Sequence, residues 1–115
     1  MTRGELWWVD YGIPYGSEPG FRRPVIILQN DFFNNSNINT TIAIPLSTNL
    51  LLAEVPANIF VEKKYLKLGS DSVILVSQIG VVDKQRLIEK ITKVDRTIME
   101  KIENNVAFIL GIRLI

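Results

Sequence analysis

The sequence of 115 residues contains no cysteine and no histidine. Without cysteine, a disulfide framework, a thiol nucleophile and a zinc site with thiolate ligands are excluded. Without histidine, the commonest general base is missing, and a metal ion could be held by oxygen ligands alone. The carboxylates are scattered and show no calcium-loop spacing. The sequence therefore predicts neither a metal site nor a cofactor, and any proton transfer must come from groups such as carboxylates and guanidinium ions.

Long apolar runs are also missing, and we expect no leader segment. No run approaches the roughly 20 residues that cross a bilayer, and residues 1–5 lack the basic-then-apolar order of a signal peptide. We therefore expect a cytoplasmic protein without membrane contact. The length and the apolar content of 47% predict one domain over residues 1–115 with a single core.

Charge of one sign does not dominate the chain, whose net charge is only +1. Residues 1–60 hold three basic and five acidic side chains, whereas residues 61–115 hold ten basic and seven acidic ones. This asymmetry is typical of an ordinary solvated surface. It still permits a polyanionic partner, because the local potential of a groove matters more than the total charge.

Short apolar segments separated by turn signals indicate a β protein. They predict strands at 5–10, 25–28, 40–46, 58–61, 71–76 and 88–94. Residues 11–21, which are rich in glycine and proline, predict a long loop. Alternation makes the strand at 40–46 half-buried, and Pro45 predicts that this strand lies at a sheet edge or ends there.

One long helix is predicted, at the C-terminus, and Asp83 predicts a short helical turn that runs through Leu87. Asp95 is a good N-cap, Gly111 is a plausible C′ residue, and the apolar stripe between them consists of Ile98, Met99, Ile102, Val106, Ile109 and Leu110. The predicted fold class is mainly β with helices (α+β), an antiparallel, barrel-like domain with this helix packed on it.

The loop at 11–21 and the residues after it contain the first candidate site. Glu18 and Arg23 lie five positions apart across a Pro-Gly turn, so they can face the same space. One interpretation is an ion pair that fixes the loop, which contributes little to stability when exposed. The other is a phosphate site, in which arginine matches the phosphate oxygens and glutamate takes or gives a proton. The loop alone favours the ion pair.

Hydroxyl and aromatic side chains are further candidates. Ser47 and Thr48 follow a predicted strand, as turn residues often do, and no lysine neighbours them, so a serine nucleophile is weakly supported. Two aromatic pairs occur at 7–8 and 32–33. One member of each pair should face outward and could stack on a nucleobase.

Taken together, these segments resemble the MazF/PemK family of toxin endoribonucleases from bacterial toxin–antitoxin systems. The resemblance covers nearly the whole chain in order and rests on Arg3-Gly4-Glu5-Leu6-Trp7, Val9-Asp10, Gly16-Ser17-Glu18, Arg23-Pro24-Val25, Gln29-Asn30-Asp31, Ile44-Pro45-Leu46-Ser47-Thr48-Asn49, Asp71-Ser72-Val73-Ile74, Gln78-Ile79, Asp83-Lys84-Gln85-Arg86-Leu87 and the C-terminal helix. Each segment is weak by itself, but the ordered set is specific. It reverses the ranking of the two interpretations of Glu18 and Arg23.

The resemblance implies an SH3-like small barrel of the MazF/PemK/CcdB type, assembled as a homodimer. It implies sequence-specific, metal-independent cleavage of single-stranded RNA. In that reaction the 2′-hydroxyl attacks the neighbouring phosphate and leaves a 2′,3′-cyclic phosphate and a 5′-hydroxyl. It further implies a MazE-like antitoxin whose C-terminal segment blocks the RNA groove.

The resemblance also assigns roles to single residues. Arg23 matches the family's catalytic arginine, directly before a proline, and Ser47 stands where the family usually has a catalytic threonine. Glu18 matches the loop glutamate, which acts as a base or orients Arg23. Thr48 could supply the hydroxyl if the register shifts by one position. The expected substrate contacts are Ser17, Asn30, Thr48 and Gln78.

The sequence departs from the family pattern at three positions. Pro19 stands where glutamine is common and stiffens the loop. Ser47 keeps the hydroxyl of threonine but lacks the methyl group that restricts its rotamer. Gly80 stands where many relatives have a basic residue. We expect these differences to alter RNA affinity or sequence preference more than the reaction.

Two other functions fit the same kind of fold. A CcdB-like toxin inhibits DNA gyrase by binding and catalyses nothing, but it uses C-terminal residues that include an aromatic one. This chain has no aromatic residue after Phe108, and it has the Arg23-Pro24 pair. The second alternative is a non-catalytic barrel that binds RNA or protein.

Overall fold

The computed structural model describes residues 1–17 and 20–113. These ranges contain β1 (Glu5–Asp10), β2 (Arg22–Ile27), α1 (Asp31–Asn34), β3 (Thr40–Ser47), β4 (Ile59–Val61), β5 (Ser72–Ile74), β6 (Gly80–Asp83), β7 (Leu87–Lys93) and α2 (Arg96–Ile109). Neighbouring strands are antiparallel in the order β4-β5-β3-β2-β1-β7, and β6 pairs with the first half of β3. The predicted fold class, mainly antiparallel β with a C-terminal helix, is confirmed.

Two apolar layers pack on opposite faces of the central strands. The larger layer includes Leu6, Ile26, Ile44, Leu46, Ile74 and, from α2, Met99 and Ile102. The smaller layer consists of Val9, Val25, Ile27, Ala43 and Val82. Successive strand residues point to opposite faces, so a strand that is covered on both sides needs a continuous apolar run. This explains the run in β2.

The sequence-based prediction for β3 was wrong in two respects. Residues 43–46 are all buried, so the strand is not half-buried, and Pro45 lies in the middle of the sheet. Leu75 N donates to Pro45 O at 2.9 Å, so the main-chain polar groups of Pro45 face away from β2. They point at the gap where the partner of β3 changes from β6 to β5. Because neither β5 nor β6 pairs with β3 at Pro45, the missing N–H of the proline removes no hydrogen bond between strands.

β2 begins earlier than predicted. Arg22 and Arg23 belong to the strand and lie opposite Asp10 and Val9 of β1, whereas the sequence placed them in the loop. The physical reason is Pro24, because the residue before a proline is pushed into extended backbone. The correction matters for the site, since sheet hydrogen bonds now fix the backbone of both arginines.

A short helix that the sequence did not predict follows β2. Asn30 caps α1 by accepting a hydrogen bond from Phe32 N at 2.8 Å. The side-chain amide of the buried Asn34 accepts from the Gln29 amide and the Thr41 hydroxyl, and it donates to the Gln29 carbonyl. The Asn34 amide and the backbone N–H of Arg3 also bind Asp31 and lower the pKa of its carboxyl. The polar residues around Asn30 therefore stabilise the turn out of the sheet.

α2 follows the predicted pattern at its start and its end. Asp95 accepts from Ile98 N at 3.0 Å. Gly111 has φ +70°, and the bonds from Ile112 N to Ala107 O and from Gly111 N to Phe108 O form a Schellman motif. The predicted stripe ends early, because Ile109 and Leu110 of the last turn are exposed. No helix in the described ranges is long and apolar enough to cross a membrane.

A nearly buried carboxylate fixes the N-terminus on the sheet. Glu5 accepts hydrogen bonds from Thr2 N at 2.7 Å and Trp7 Nε1 at 3.1 Å, and it pairs with Lys90 Nζ at 3.0 Å. Burial raises the pKa of the Glu5 carboxyl, but these donors outweigh burial and lower the pKa to about 2. The native state therefore favours ionised Glu5 more strongly than the unfolded chain does.

We predict that Glu5→Gln lowers the free energy of unfolding at pH 7 by about 3 kcal/mol. Because the native pKa is depressed, this stabilisation is present above pH 4.5 and is lost as the pH falls toward 2. Urea unfolding of both proteins at pH 7, 4.5 and 3 measures it, with the exposed Glu89→Gln as the matched control. A difference between wild type and Glu5→Gln that does not shrink below pH 4.5 would contradict the prediction.

Candidate active site

A cavity of about 550 Å³ lies at one end of the sheet. β3 ends there at Ser47, β2 begins there at Arg22, and the loop before β5 closes the far side. The lining residues are Trp8, Gly20, Phe21, Arg22, Arg23, Pro24, Leu46, Ser47, Thr48, Leu68, Gly69, Ser70 and Ser72. The structure thus brings three of the sequence-predicted site residues, Arg23, Ser47 and Thr48, to one cavity.

The Arg23 guanidinium is held by main-chain carbonyl groups. Its Nε donates to Gly20 O at 3.1 Å, and its Nη1 donates to Leu46 O at 3.4 Å. A guanidinium has five N–H donors, so Nη2 and the second hydrogen of Nη1 stay available for a ligand. Among residues 1–17 and 20–113, no carboxylate forms a salt bridge with Arg23. The arrangement leaves a fixed positive charge for an anion.

Ser47 lines the same cavity as Arg23. Leu46, the residue before Ser47, accepts a hydrogen bond from Arg23 Nη1 at 3.4 Å, so the guanidinium is bound to the main chain next to Ser47. Ser47 Oγ accepts from Asn49 N at 3.1 Å, which leaves its hydroxyl proton free to be donated into the cavity.

Aromatic and loop residues that the sequence did not assign complete the cavity. Trp8 lies opposite Pro24 and lines the cavity, whereas Trp7 packs against the smaller apolar layer. This fits the expectation that one of the two tryptophans faces outward. The far side is formed by residues 68–70 together with Ser72. The spacing of these loop residues in the sequence could not predict that they line one cavity with Trp8, because their position depends on how β5 packs in the sheet.

The return of the long loop to β2 requires unusual backbone. Gly20 packs directly on Pro14, and a Cβ at Gly20 would lie 2.4 Å from the proline ring. Phe21 has φ +58°, a left-handed conformation that costs free energy for a bulky residue. Hydrogen bonds with Tyr11 and Gly12 hold Phe21 in this conformation. The strained residue lies two positions before Arg23 and lines the cavity.

A phenol lies near the same arginine. Tyr11 continues the β1–β2 pairing through its N–H, which donates to Phe21 O at 2.8 Å, and it shares a sheet face with Val9 and Arg23. Burial raises the pKa of the Tyr11 hydroxyl to about 12, although the positive charge of Arg23 acts in the opposite direction. The phenol is therefore neutral at neutral pH and well above it.

The other sequence-predicted site residues lie away from the cavity lining or outside the described residues. Asn30 is exposed and caps α1, and Gln78 ends the 3-10 turn at Val76–Gln78. Ser17 is exposed in the long loop. Glu18, like Pro19, lies outside the described residues. The structure therefore groups the arginine with the two hydroxyl residues, but it does not bring Asn30 or Gln78 to them.

The chemistry available at this cavity is anion binding with proton donation. A guanidinium with free N–H groups and a hydroxyl with a free proton both suit a phosphate group. Among the residues that the structure describes, no three carboxylates gather closely enough to hold a metal ion.

Comparison with known proteins agrees with the fold and the motifs. The model of the PemK-like, MazF-like toxin of type II toxin–antitoxin systems matches residues 2–110. The curated proteins Endoribonuclease MazF2 of Mycobacterium bovis and Endoribonuclease MazF6 of Mycobacterium tuberculosis are each 33% identical to this chain over 112 residues, 97% of this chain and 98% of theirs.

Solved structures share the fold. MazF from Deinococcus radiodurans superimposes with a TM-score of 0.80 at 20% identity, covering 96% of each chain. A mycobacterial endoribonuclease solved with its cognate antitoxin gives a TM-score of 0.78 at 23% identity, covering 100% of this chain and 99% of that one. The chain belongs to the PemK-like, MazF-like toxin family of type II toxin–antitoxin systems.

Proposed function

We propose that this toxin cleaves single-stranded RNA at a short sequence motif, without a metal ion, by attack of the 2′-hydroxyl on the adjacent phosphate. That the chain is an endoribonuclease follows from its family and from curated relatives of that name, which it matches over almost their full length. One observation supports the proposed chemistry: Arg23 and Ser47 line one cavity, and Arg23 is bound there to the carbonyl of Leu46, next to Ser47.

The reaction needs three contributions from the protein. The scissile phosphate must be aligned with the 2′-oxygen, the charge on the phosphorane must be stabilised, and protons must leave the 2′-oxygen and reach the 5′-oxygen. Arg23 supplies the first two, since its charge is permanent and its free N–H groups match phosphate oxygens. Ser47 donates its hydroxyl proton to a phosphate oxygen or to the leaving oxygen.

Glu18 remains the proposed base or the group that orients Arg23. An ionised carboxylate can accept the 2′-proton, and Glu18 lies five positions before Arg23 in the sequence. Thr48 and Trp8 line the same cavity and are proposed to contact the nucleotides around the cleaved bond. Trp8 offers a face on which a base can stack, an interaction that tolerates any base.

Ser17, Asn30 and Gln78 are proposed to contact nucleotides further from the cleaved bond, because they do not line the cavity. The natural partner is a MazE-like antitoxin that covers this end of the sheet and excludes RNA. Relatives solved with their antitoxins support this partner. We propose that the toxin acts as a homodimer in the cytoplasm.

The test is to incubate the purified protein with a long single-stranded RNA in EDTA and to map the 5′ ends of the fragments. We expect cuts at one recurring short motif, each with a 5′-hydroxyl. A 2′-deoxy substitution at the mapped position is the matched control and should stop cleavage there, because the attacking group is missing.

Intact RNA at high protein concentration would contradict the proposed function. A supercoiling assay with DNA gyrase would then test the CcdB-like alternative, and RNA binding without cleavage products would indicate a non-catalytic barrel.

A further inference from the structure

The end of the sheet that carries the cavity also carries a third arginine, Arg86. β3 ends at Ser47, β2 begins at Arg22, β1 ends at Asp10 and β7 begins at Leu87, so four strand termini lie side by side. Val9 of β1 pairs with Leu87, which places Arg86 at this end of β7. Neighbouring strands are 4.7–4.9 Å apart, so the row from β3 to β7 spans about 14 Å.

Arg86 is fixed at this position rather than freely mobile. Its Nη1 donates to Asp10 O at 3.0 Å. The same atom lies 3.5 Å from the position that a Cβ on Gly12 would occupy, so the guanidinium rests on the start of the long loop. Gly12 in turn pairs with Phe21, which lines the cavity. The Arg86 guanidinium therefore lies against Gly12, which is hydrogen-bonded to a residue of the cavity lining.

The charges around this row favour an anion. Arg22, Arg23 and Arg86 are positive, and Asp10 is the opposing carboxylate on β1, where it accepts from Gly12 N at 2.8 Å. Two charged groups precede Arg86 in the chain. Asp83 caps the 3-10 turn at Lys84–Arg86 by accepting from Gln85 N, and Lys84 donates to the carbonyl oxygens of residues 34 and 36. Arg86 forms no salt bridge within residues 1–17 and 20–113, and its side chain is exposed with four N–H donors unused by Asp10.

We propose that Arg86 binds an RNA phosphate that flanks the scissile phosphate held at Arg23, so that the RNA strand crosses the sheet end from β3 to β7. This assignment rests on the proposed function. Arg86 is a substrate-binding residue here and takes no part in the chemical step. Its interaction is equal in the ground state and the transition state, so its loss should raise KM and leave kcat unchanged.

The test uses an oligonucleotide that spans the motif mapped for the wild type and carries 2′-O-methyl groups, which prevent cleavage. Affinity is measured over a range of salt concentrations. Each phosphate contact to a single strand contributes about 0.7 to the slope of log K against log salt. We expect Arg86→Gln to reduce the slope by about 0.7 and to weaken binding about fivefold at 0.1 M salt.

Two further variants separate charge at this site from other effects. Arg96→Gln removes the same charge from the start of α2, where Arg96 pairs with Glu100, and it should leave the slope at the wild-type value. Arg86→Lys keeps the charge and should also leave the slope unchanged. Thermal unfolding of each variant tests whether the fold is retained.

An unchanged slope in Arg86→Gln would overturn the assignment, as would an equal loss in Arg96→Gln or in Arg86→Lys. These results are distinct from failure of the proposed function, in which the wild-type protein itself would not cleave RNA.

Discussion

Arg23→Ala is expected to reduce RNA cleavage at least a thousandfold while the barrel remains folded. The reason is that the variant removes the only described guanidinium that lines the cavity and is held there by two carbonyl groups. Loss of one preorganised donor to a developing oxyanion costs about 10²–10³ in rate, and loss of a transition-state arginine costs about 10³–10⁵. Single-turnover cleavage of the mapped RNA measures the effect, and thermal unfolding monitors the fold.

Two substitutions make this result specific. Arg23→Lys keeps the charge but not the planar fork, so we expect intermediate activity. Arg22→Ala removes a neighbouring guanidinium from the same cavity and is expected to lower cleavage far less, because Arg22 is exposed and is not held by the two carbonyl groups that fix Arg23. Full activity in a folded Arg23→Ala variant would sink the site assignment and leave Arg23 as a loop-fixing residue.

Ser47→Ala is expected to lower the rate of the chemical step about 10²–10³-fold, because it removes a hydrogen-bond donor aimed at the phosphate. The stability cost should be small. The bond that is lost, from Asn49 N, is exposed, and water can replace it. Single-turnover rates at saturating protein measure the chemical step separately from binding.

The neighbouring hydroxyl is the matched control for Ser47. Thr48→Val keeps the shape of Thr48 and removes its hydroxyl, and we expect less than a tenfold loss. Ser47→Thr should retain activity, since it restores the β-branched rotamer restriction along with the donor. A large loss in Thr48→Val with a small one in Ser47→Ala would transfer the catalytic role to Thr48.

The sequence predicted the elements that depend on local chemistry. Asp95 and Gly111 bound α2 as expected, because a cap hydrogen bond and a left-handed C′ residue are decided within a few residues. The strand at 5–10 agrees with β1 residue for residue. The same sequence also predicted the arginine and the two hydroxyl residues that line the cavity, and its motifs indicated the family to which the chain belongs.

The predictions that failed depended on neighbours far away in the chain. Pro45 predicted a sheet edge or a strand end, but β3 is a central strand that continues to Ser47. The missing N–H of Pro45 falls where β3 changes partners, which only the packing of β5 and β6 decides. Ile109 and Leu110 were predicted to belong to the buried stripe of α2, but both are exposed. The apolar pattern could not show that the sheet does not extend far enough to cover the last turn of the helix. A local pattern states which side chains are apolar, not which surface covers them.

Sequence by itself determined the chemical inventory of this protein: no thiol, no imidazole, and a small set of guanidinium, hydroxyl and carboxylate groups in a family-specific order. Tertiary structure decided which of these groups meet. The fold brings Arg23 and Ser47, which are 24 positions apart in the chain, to one cavity, and it aligns four strand ends in one row that Arg86 completes. Register is fixed by burying both faces of the central strands at once, and that is a property of the whole fold rather than of any segment.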